Sequence, residues 1–161
     1  MSLINRDIIY TPSYEYGQQE VIKQNDFRYY KFNDLLVPSV TSILRLSKSK
    51  QTFNYSSKQA DSFEIGNLMH EYLERYVTDK KIDDPDSENS KIALKLSEVI
   101  INNIFPKVDS FISTEATVHK NHEYAGTLDL LALVDGKLTI IDYKSSYRPK
   151  SSLQIDEHFQ Q

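Results

Sequence analysis

The spacing of hydrophobic and polar positions changes along the chain, and it predicts helices first and strands afterwards. Apolar residues recur three and four positions apart in 61–78 and again between the polar loop at 83–87 and Phe105. This is the period of amphipathic helices. Residues 108–118, 124–134 and 137–144 are instead rich in β-branched, aromatic and leucine residues, as strands are. For the second long helix, the pattern predicts a buried face made of Ile92, Leu96, Val99, Ile100 and Ile104.

Shorter elements precede the long helices. The β-prone segments 27–32 and 35–37 flank an Asn33-Asp34 turn and predict a hairpin. A helix then opens at 38–41 with Ser39 or Thr41 as its N-cap, and residues 153–161 resemble the start of a last helix. The order predicts one α+β domain, 1–161, with helices packed on an antiparallel three-strand meander. Its parts are an N-terminal hairpin and helix (27–60), a helical layer (61–105) and a sheet with the start of the following helix (108–161).

Composition narrows the class of protein. The 161 residues are 39% hydrophobic and 26% charged, as in ordinary soluble globular domains. The absence of cysteine excludes disulfides and thiolate metal sites, and no apolar run is long enough to cross a bilayer. We therefore expect a cytoplasmic protein without membrane contacts.

Charge is unevenly distributed in the N-terminal third. Residues 35–60 carry four cations and no anion, which fits either a solvated loop or a patch facing phosphate groups. The four cations are Arg45, Lys48, Lys50 and Lys58.

The candidate chemistry lies on the last predicted hairpin. Asp135-Gly136 between β-prone segments is a strong signal for a two-residue turn. The resulting register places Asp129 directly opposite Asp142, with Cβ atoms about 4.5–5.5 Å apart. Lys144 follows two residues later and shares their face.

Two carboxylates so close repel each other unless a cation compensates. Mg²⁺ or Mn²⁺ would do so and could activate water next to a phosphate group, while a lysine offsets developing negative charge. The alternative is a structural Asp–Lys pair at the end of a sheet. Alignment with a second aspartate inside apolar strands favours the metal site. We expect these strands to be buried by their apolar residues, Leu130, Leu131, Leu138, Ile140 and Ile141.

Several segments together resemble a known family. Gly126-Thr127-Leu128-Asp129 followed by Ile140-Ile141-Asp142-Tyr143-Lys144-Ser145-Ser146 looks like the signature of RecB-type nucleases in the PD-(D/E)XK superfamily. The helix from Gly66 to Glu74 is similar to that family's G-x-x-x-H-x-x-x-E helix. Arg28-Tyr29-Tyr30 and Pro38-Ser39-Val40-Thr41-Ser42-Ile43-Leu44 resemble the N-terminal segment of phage exonucleases. The resemblance covers roughly residues 27–161.

The resemblance implies a PD-(D/E)XK fold, with Asp129, Asp142 and His70 as metal ligands and Lys144 as the catalytic lysine. From position alone, His70 also fits a core histidine, and an imidazole ligand would favour Mn²⁺ somewhat. Glu74 and Glu115 are candidates for a second shell, and His119, His122 and Glu123 are expected in a solvated turn. Possible DNA contacts are Ser39, Thr41, Lys48, Lys50, Arg148 and Gln161.

The function that the resemblance implies is a metal-dependent deoxyribonuclease. It would be an exonuclease of phage or bacterial recombination and repair type, acting on single strands or duplex ends. The alternative is a catalytically weak or inactive module that binds DNA or a protein partner.

The resemblance also implies that the domain is incomplete at its C-terminus. Relatives continue with a Q-x-x-x-Y helix and a further strand, whereas Gln160-Gln161 ends this sequence without the tyrosine. We therefore expect the chain to associate with itself through an open sheet edge, or with a partner that supplies the missing elements.

Overall fold

The computed structural model describes residues 20–25, 27–47, 57–146 and 151–152. Its elements in chain order are β1 (Glu20–Gln24), β2 (Phe27–Phe32), β3 (Leu35–Pro38), α1 (Val40–Ser47), α2 (Ser57–Val77), α3 (Glu88–Asn103), a 3₁₀ turn (Phe105–Lys107), β4 (Ser110–Lys120), β5 (Tyr124–Val134) and β6 (Lys137–Ile141). The predicted α+β class is confirmed. The helix predicted at 153–161 lies outside the described residues.

The strands form two antiparallel three-stranded sheets, ordered β1-β2-β3 and β4-β5-β6. The second is the meander that the sequence predicts. The first contains the predicted hairpin, β2 and β3, but β1 was not predicted and pairs along β2 from Glu20↔Lys31 to Gln24↔Phe27. Its short, mostly exposed sequence has little apolar alternation, so its pairing partner rather than its own pattern makes it a strand.

The last hairpin has the predicted register. Asp135 and Gly136 both have positive φ, 51° and 69°, as a type I′ turn requires. Pairing then runs from Val134↔Lys137 to Leu130↔Ile141, so Asp129 and Asp142 occupy the next opposed positions. However, β6 ends at Ile141 and not at 144, because the Asp129 carboxylate accepts the Tyr143 N–H at 2.6 Å in place of a ladder bond.

The main core lies between α2, α3 and the second sheet. The apolar stripe predicted for α2 is confirmed, with Met69, Tyr72 and Leu73 buried. They pack in one cluster with Phe105 of the 3₁₀ turn and Leu130 of β5. Each such side chain contributes about 1.5–3 kcal/mol through burial, so this core fixes α2 on the sheet.

The predicted buried face of α3 is wrong. The buried residues are Ser90, Ala93, Ser97 and Ile101, whereas Val99 is 59% exposed. Ile92, Leu96 and Ile104 are exposed as well, and only Ile100 of the predicted set packs against the core. The small side chains let α3 approach α2 closely, and the Ser97 hydroxyl donates to the Met69 carbonyl at 3.3 Å.

The outer side of β6 is also more exposed than predicted. Leu138 and Ile140 are 61% and 65% exposed, although Leu130 and Leu131 on the neighbouring strand β5 are buried. Leu138 and Ile140 lie on the opposite face of β6 from Ile141, which packs against the main core. Among the described strands, β6 is also at the edge of its sheet. Association through this edge stays a prediction. None of the described helices is long and apolar enough to cross a membrane.

Candidate metal centre

Two carboxylates meet across the middle of the second sheet. Position 115 on β4 faces position 129 on β5, between the pairs Thr114↔Leu130 and Ala116↔Leu128. Glu115 has a positive φ of 49°, which costs a non-glycine residue on the order of 1–3 kcal/mol. Such strain at a polar residue is common at functional sites, where the surrounding structure maintains it.

Helix α2 brings an imidazole to these carboxylates. The Nδ1 atom of His70 lies 3.5 Å from Oδ1 of Asp129 and 3.9 Å from Oε1 of Glu115. Together the three residues offer one ligand atom each, all within 4.8 Å of one another. We call this group the carboxylate–histidine cluster. The sequence predicts Glu115 only as a residue bordering the metal ligands, whereas in the structure it lies beside His70 and Asp129.

The backbone of Tyr143 orients two members of this cluster. Its N–H donates to Oδ2 of Asp129 at 2.6 Å, and its carbonyl oxygen lies 2.9 Å from Nε2 of His70. Nε2 of His70 therefore carries a hydrogen and donates to that carbonyl. In the neutral imidazole, Nδ1 then presents its lone pair to the carboxylates. A metal-binding histidine commonly has this arrangement, donating its other ring N–H to a carbonyl or carboxylate.

The charges of the cluster are strongly coupled. Burial raises the pKa of Asp129, whose side chain is only 12% exposed, and the nearby Asp142 charge raises it further. The Tyr143 N–H and His70 act in the opposite direction. The Glu115 carboxylate raises the pKa of His70, partly offset by burial, and Asp129 adds to the increase. The two carboxylates therefore favour a positive charge beside them, whether on a protonated His70 or on a bound cation.

Asp142 and Lys144 form a second pair just beyond β6. The Lys144 ammonium donates to the Asp142 carboxylate at 2.7 Å and lies 3.4 Å from the Tyr143 carbonyl oxygen. Both side chains are partly exposed. Asp142 acts on Asp129 through its charge, but it is not one of the clustered ligand atoms in the described part of the chain.

The cluster opens into a cleft of about 590 Å³, a volume typical of ligand sites. Glu74, one turn beyond His70, lines the same cleft without joining the cluster. The cleft is lined by Val21, Arg28, Asn67, His70, Glu71, Glu74, Glu115, Thr117, Thr127 and Asp129. Four of these described residues are carboxylates, and Arg28 is the permanently charged cation among them.

The remaining candidates that the structure describes are not members of the cluster. Ser39 is fully buried and accepts the Ser42 N–H, so it caps the start of α1, while the exposed Thr41 hydroxyl accepts from Arg28. His119 and His122 stack at 4.1 Å, but only His122 lies in the exposed turn after β4. The solvated position expected for His119 is wrong, because it is half-buried near the end of β4 and packs against Phe32. Lys48, Lys50, Arg148 and Gln161 lie outside the described residues, and so does the side chain of Lys58.

Comparison of the sequence with known proteins relates the chain to an exonuclease. No family model matches the chain. Among curated proteins, it is similar to the human Mitochondrial genome maintenance exonuclease 1, with 27% identity over 138 residues. The match covers 74% of this chain but 39% of that protein. The chain is similar to an exonuclease. It spans about two fifths of that exonuclease's length.

Proposed function

We propose that the chain is a metal-dependent nuclease that hydrolyses phosphodiester bonds of DNA on a PD-(D/E)XK-type fold. The carboxylate–histidine cluster carries the proposal, because it joins two carboxylates to an imidazole whose second nitrogen is already hydrogen-bonded. Similarity to an exonuclease supports the same activity. The exonucleolytic mode and a role in phage-type recombination or repair rest on the sequence resemblance.

The donor set suits a divalent cation. Oxygen ligands from Glu115 and Asp129 favour Mg²⁺ or Mn²⁺, and the imidazole of His70 shifts the preference towards Mn²⁺. The raised pKa of the buried Asp129 reflects negative charge that a bound cation would compensate. When bound, such an ion supplies an activated water and Lewis-acid stabilisation of the phosphate.

The residues of the chain then have distinct roles. His70, Glu115 and Asp129 hold the ion, and the backbone of Tyr143 keeps His70 and Asp129 in orientation. Lys144 stabilises negative charge that develops on the phosphate in the transition state.

Asp142 completes the ligand set in this proposal. The family resemblance assigns it that role, and its charge already acts on Asp129. Its carboxylate also accepts from the Lys144 ammonium at 2.7 Å, and this ion pair holds the lysine beside Asp142. The same pair would hold Lys144 in place if the chain only bound DNA.

Incubation with labelled DNA tests the proposal. Single- and double-stranded substrates labelled at the 5′ or 3′ end are treated with Mg²⁺, Mn²⁺ or EDTA, and we expect metal-dependent mononucleotide ladders. Asp142→Asn, which removes one negative ligand, should abolish most of the cleavage while the fold is retained. DNA binding without any cleavage in either metal would instead support the binding-module alternative.

A further inference from the structure

A second cleft, rich in positive charge, lies beside the carboxylate cleft. It is formed by β1, β2 and the start of α1, and its volume is about 460 Å³. The described residues along it include the three cations Lys23, Arg28 and Arg45, several hydroxyls and no carboxylate. We call it the basic cleft. Its charge is opposite to that of the carboxylate cleft, so it attracts anions, which carboxylates repel.

Arg28 connects the two clefts, since it lines both. Its guanidinium donates to the Thr41 hydroxyl at 3.0 Å and lies over the Tyr30 ring at 5.7 Å from the centroid. Its backbone N–H donates to the Ser42 hydroxyl at 2.8 Å. Arg28 is thus fixed at the boundary, between the cations of one cleft and the cluster of the other.

The basic cleft also has a fixed position relative to the cluster. The Tyr30 hydroxyl is hydrogen-bonded to that of Thr127 at 2.9 Å, and Thr127 lies two residues before Asp129 on β5. A parallel bridge between Ser39 and Ala125 joins the start of α1 to the same strand. The two clefts therefore belong to one rigid surface, and an extended ligand could occupy both at once.

We propose that the basic cleft binds backbone phosphates of the nucleic-acid strand whose neighbouring phosphate lies at the carboxylate–histidine cluster. This rests on the proposed nuclease function and names how its substrate is held. Lysine, arginine and hydroxyl groups bind phosphate oxygens well, whereas they carry no sequence information at the backbone. Binding is consequently independent of base sequence and depends strongly on salt.

Binding measured in EDTA tests this without any cleavage. The Lys23→Gln/Arg45→Gln double variant is compared with Lys91→Gln/Lys95→Gln, which removes two cations from α3, outside both clefts. The probe is a fluorescently labelled single-stranded oligonucleotide, titrated over a range of salt concentrations. Loss of two phosphate contacts should lower the slope of log affinity against log salt by about 1.4, and the affinity at low salt on the order of tenfold.

The outcomes separate this proposal from the nuclease proposal. Equal affinities and salt slopes for the two double variants would overturn the basic cleft as a phosphate site and leave cleavage untouched. Weaker binding only to 5′-phosphorylated strands would replace backbone phosphates by a terminal phosphate and overturn the proposal as stated. Binding that needs Lys23 and Arg45, in a wild-type protein that cleaves no DNA, would support the cleft and refute the nuclease.

Discussion

At the scale of single residues, backbone groups do much of the work at the metal centre. The Tyr143 N–H and carbonyl hold Asp129 and His70, while the Tyr143 ring packs in the main core. This division explains how an aromatic residue between Asp142 and Lys144 contributes to a polar site. The sequence pattern did not predict this role, since which carboxylate accepts a given N–H depends on where β6 ends.

The Tyr143 hydroxyl gives a direct test of whether only the backbone of this residue serves the metal centre. It is buried and has no hydrogen-bond partner among the described residues, which costs about 1–3 kcal/mol. Tyr143→Phe should therefore raise the free energy of unfolding by about 1 kcal/mol and leave Mn²⁺ affinity unchanged, because both backbone contacts persist. Thermal unfolding and calorimetric Mn²⁺ titration measure the two effects. A large loss of metal affinity would show that the hydroxyl takes part in the site.

Glu115 provides the second test at this scale. If its carboxylate binds the ion, Glu115→Gln should weaken Mn²⁺ binding by about 100-fold or more, since even outer-shell partners are typically worth 10–100-fold. The matched control is Glu123→Gln in the exposed turn after β4, which keeps the same change of charge away from the cluster. Calorimetry measures the Mn²⁺ affinity of both variants. Equal affinities would show that the Glu115 carboxylate does not bind the ion.

The coupled charges also predict how stability depends on pH in EDTA. The pKa of His70 is raised above its ordinary 6.5, so its contribution to stability is complete below that pH and is lost as pH rises through the raised value. The pKa of Asp129 is raised above 3.8, so its contribution has the same sign at lower pH. In EDTA, the protein should therefore become less stable as the pH rises above 6.5, the ordinary pKa of histidine, as chemical unfolding would show. The His70→Gln variant should lose less stability than the wild type as the pH rises above 6.5. An unchanged profile would contradict the assignment of this pH dependence to His70.

At the scale of elements, the important contact is between α2 and the segment after β6. Gly66 lies one turn before His70, and a Cβ atom at that position would be 3.1 Å from the Ser145 hydroxyl oxygen. The glycine therefore permits the close approach that brings His70 to the Tyr143 carbonyl. Its cost is helix propensity, about 1 kcal/mol relative to alanine.

This contact predicts that Gly66→Ala weakens Mn²⁺ binding when Ser145 is present, and that it stabilises the protein when Ser145 is replaced by alanine. Gly66→Ala alone should lower Mn²⁺ affinity several-fold, because the new methyl group presses on Ser145 and shifts α2. The Gly66→Ala/Ser145→Ala variant removes the clash, so it should regain affinity and exceed the wild type in stability by about 1 kcal/mol. Ser145→Ala is the matched single control. Full affinity in Gly66→Ala would mean that Ser145 simply turns away.

At the scale of the whole molecule, local sequence signals predict some structural features correctly and miss those that depend on how distant elements pack. Asp135-Gly136 specified the register of the last hairpin, because turn type and strand pairing are coupled locally. Burial of Ser90 and Ser97 in place of Val99 depends on how closely α2 and α3 approach, which hydrophobic periodicity does not contain. Likewise, Glu115 reaches His70 through a positive φ that nothing in its neighbouring residues required.

The pattern of hydrophobic and polar residues does not predict how the two sheets are arranged. This arrangement decides whether one ligand can occupy both clefts. The Tyr30–Thr127 hydrogen bond joins β2 to β5 at 2.9 Å, next to the cluster. Tyr30→Phe keeps the buried ring and removes the hydroxyl, while Thr127→Val removes its partner with little change of shape. Each should cost about 0.5–1.5 kcal/mol of stability.

The double-mutant cycle isolates the bond between the sheets. If the two hydroxyls interact chiefly with each other, the Tyr30→Phe/Thr127→Val variant should lose less stability than the sum of the single variants, with a coupling energy of about 1 kcal/mol. All three variants should also bind single-stranded DNA more weakly in EDTA than wild type, since the basic cleft is then held less firmly beside the cluster. Urea unfolding and fluorescence anisotropy give the two readouts. Additive stability effects would show that the sheets are held together by apolar packing, including Phe32 and Val37 against Ala125, and not by this hydrogen bond.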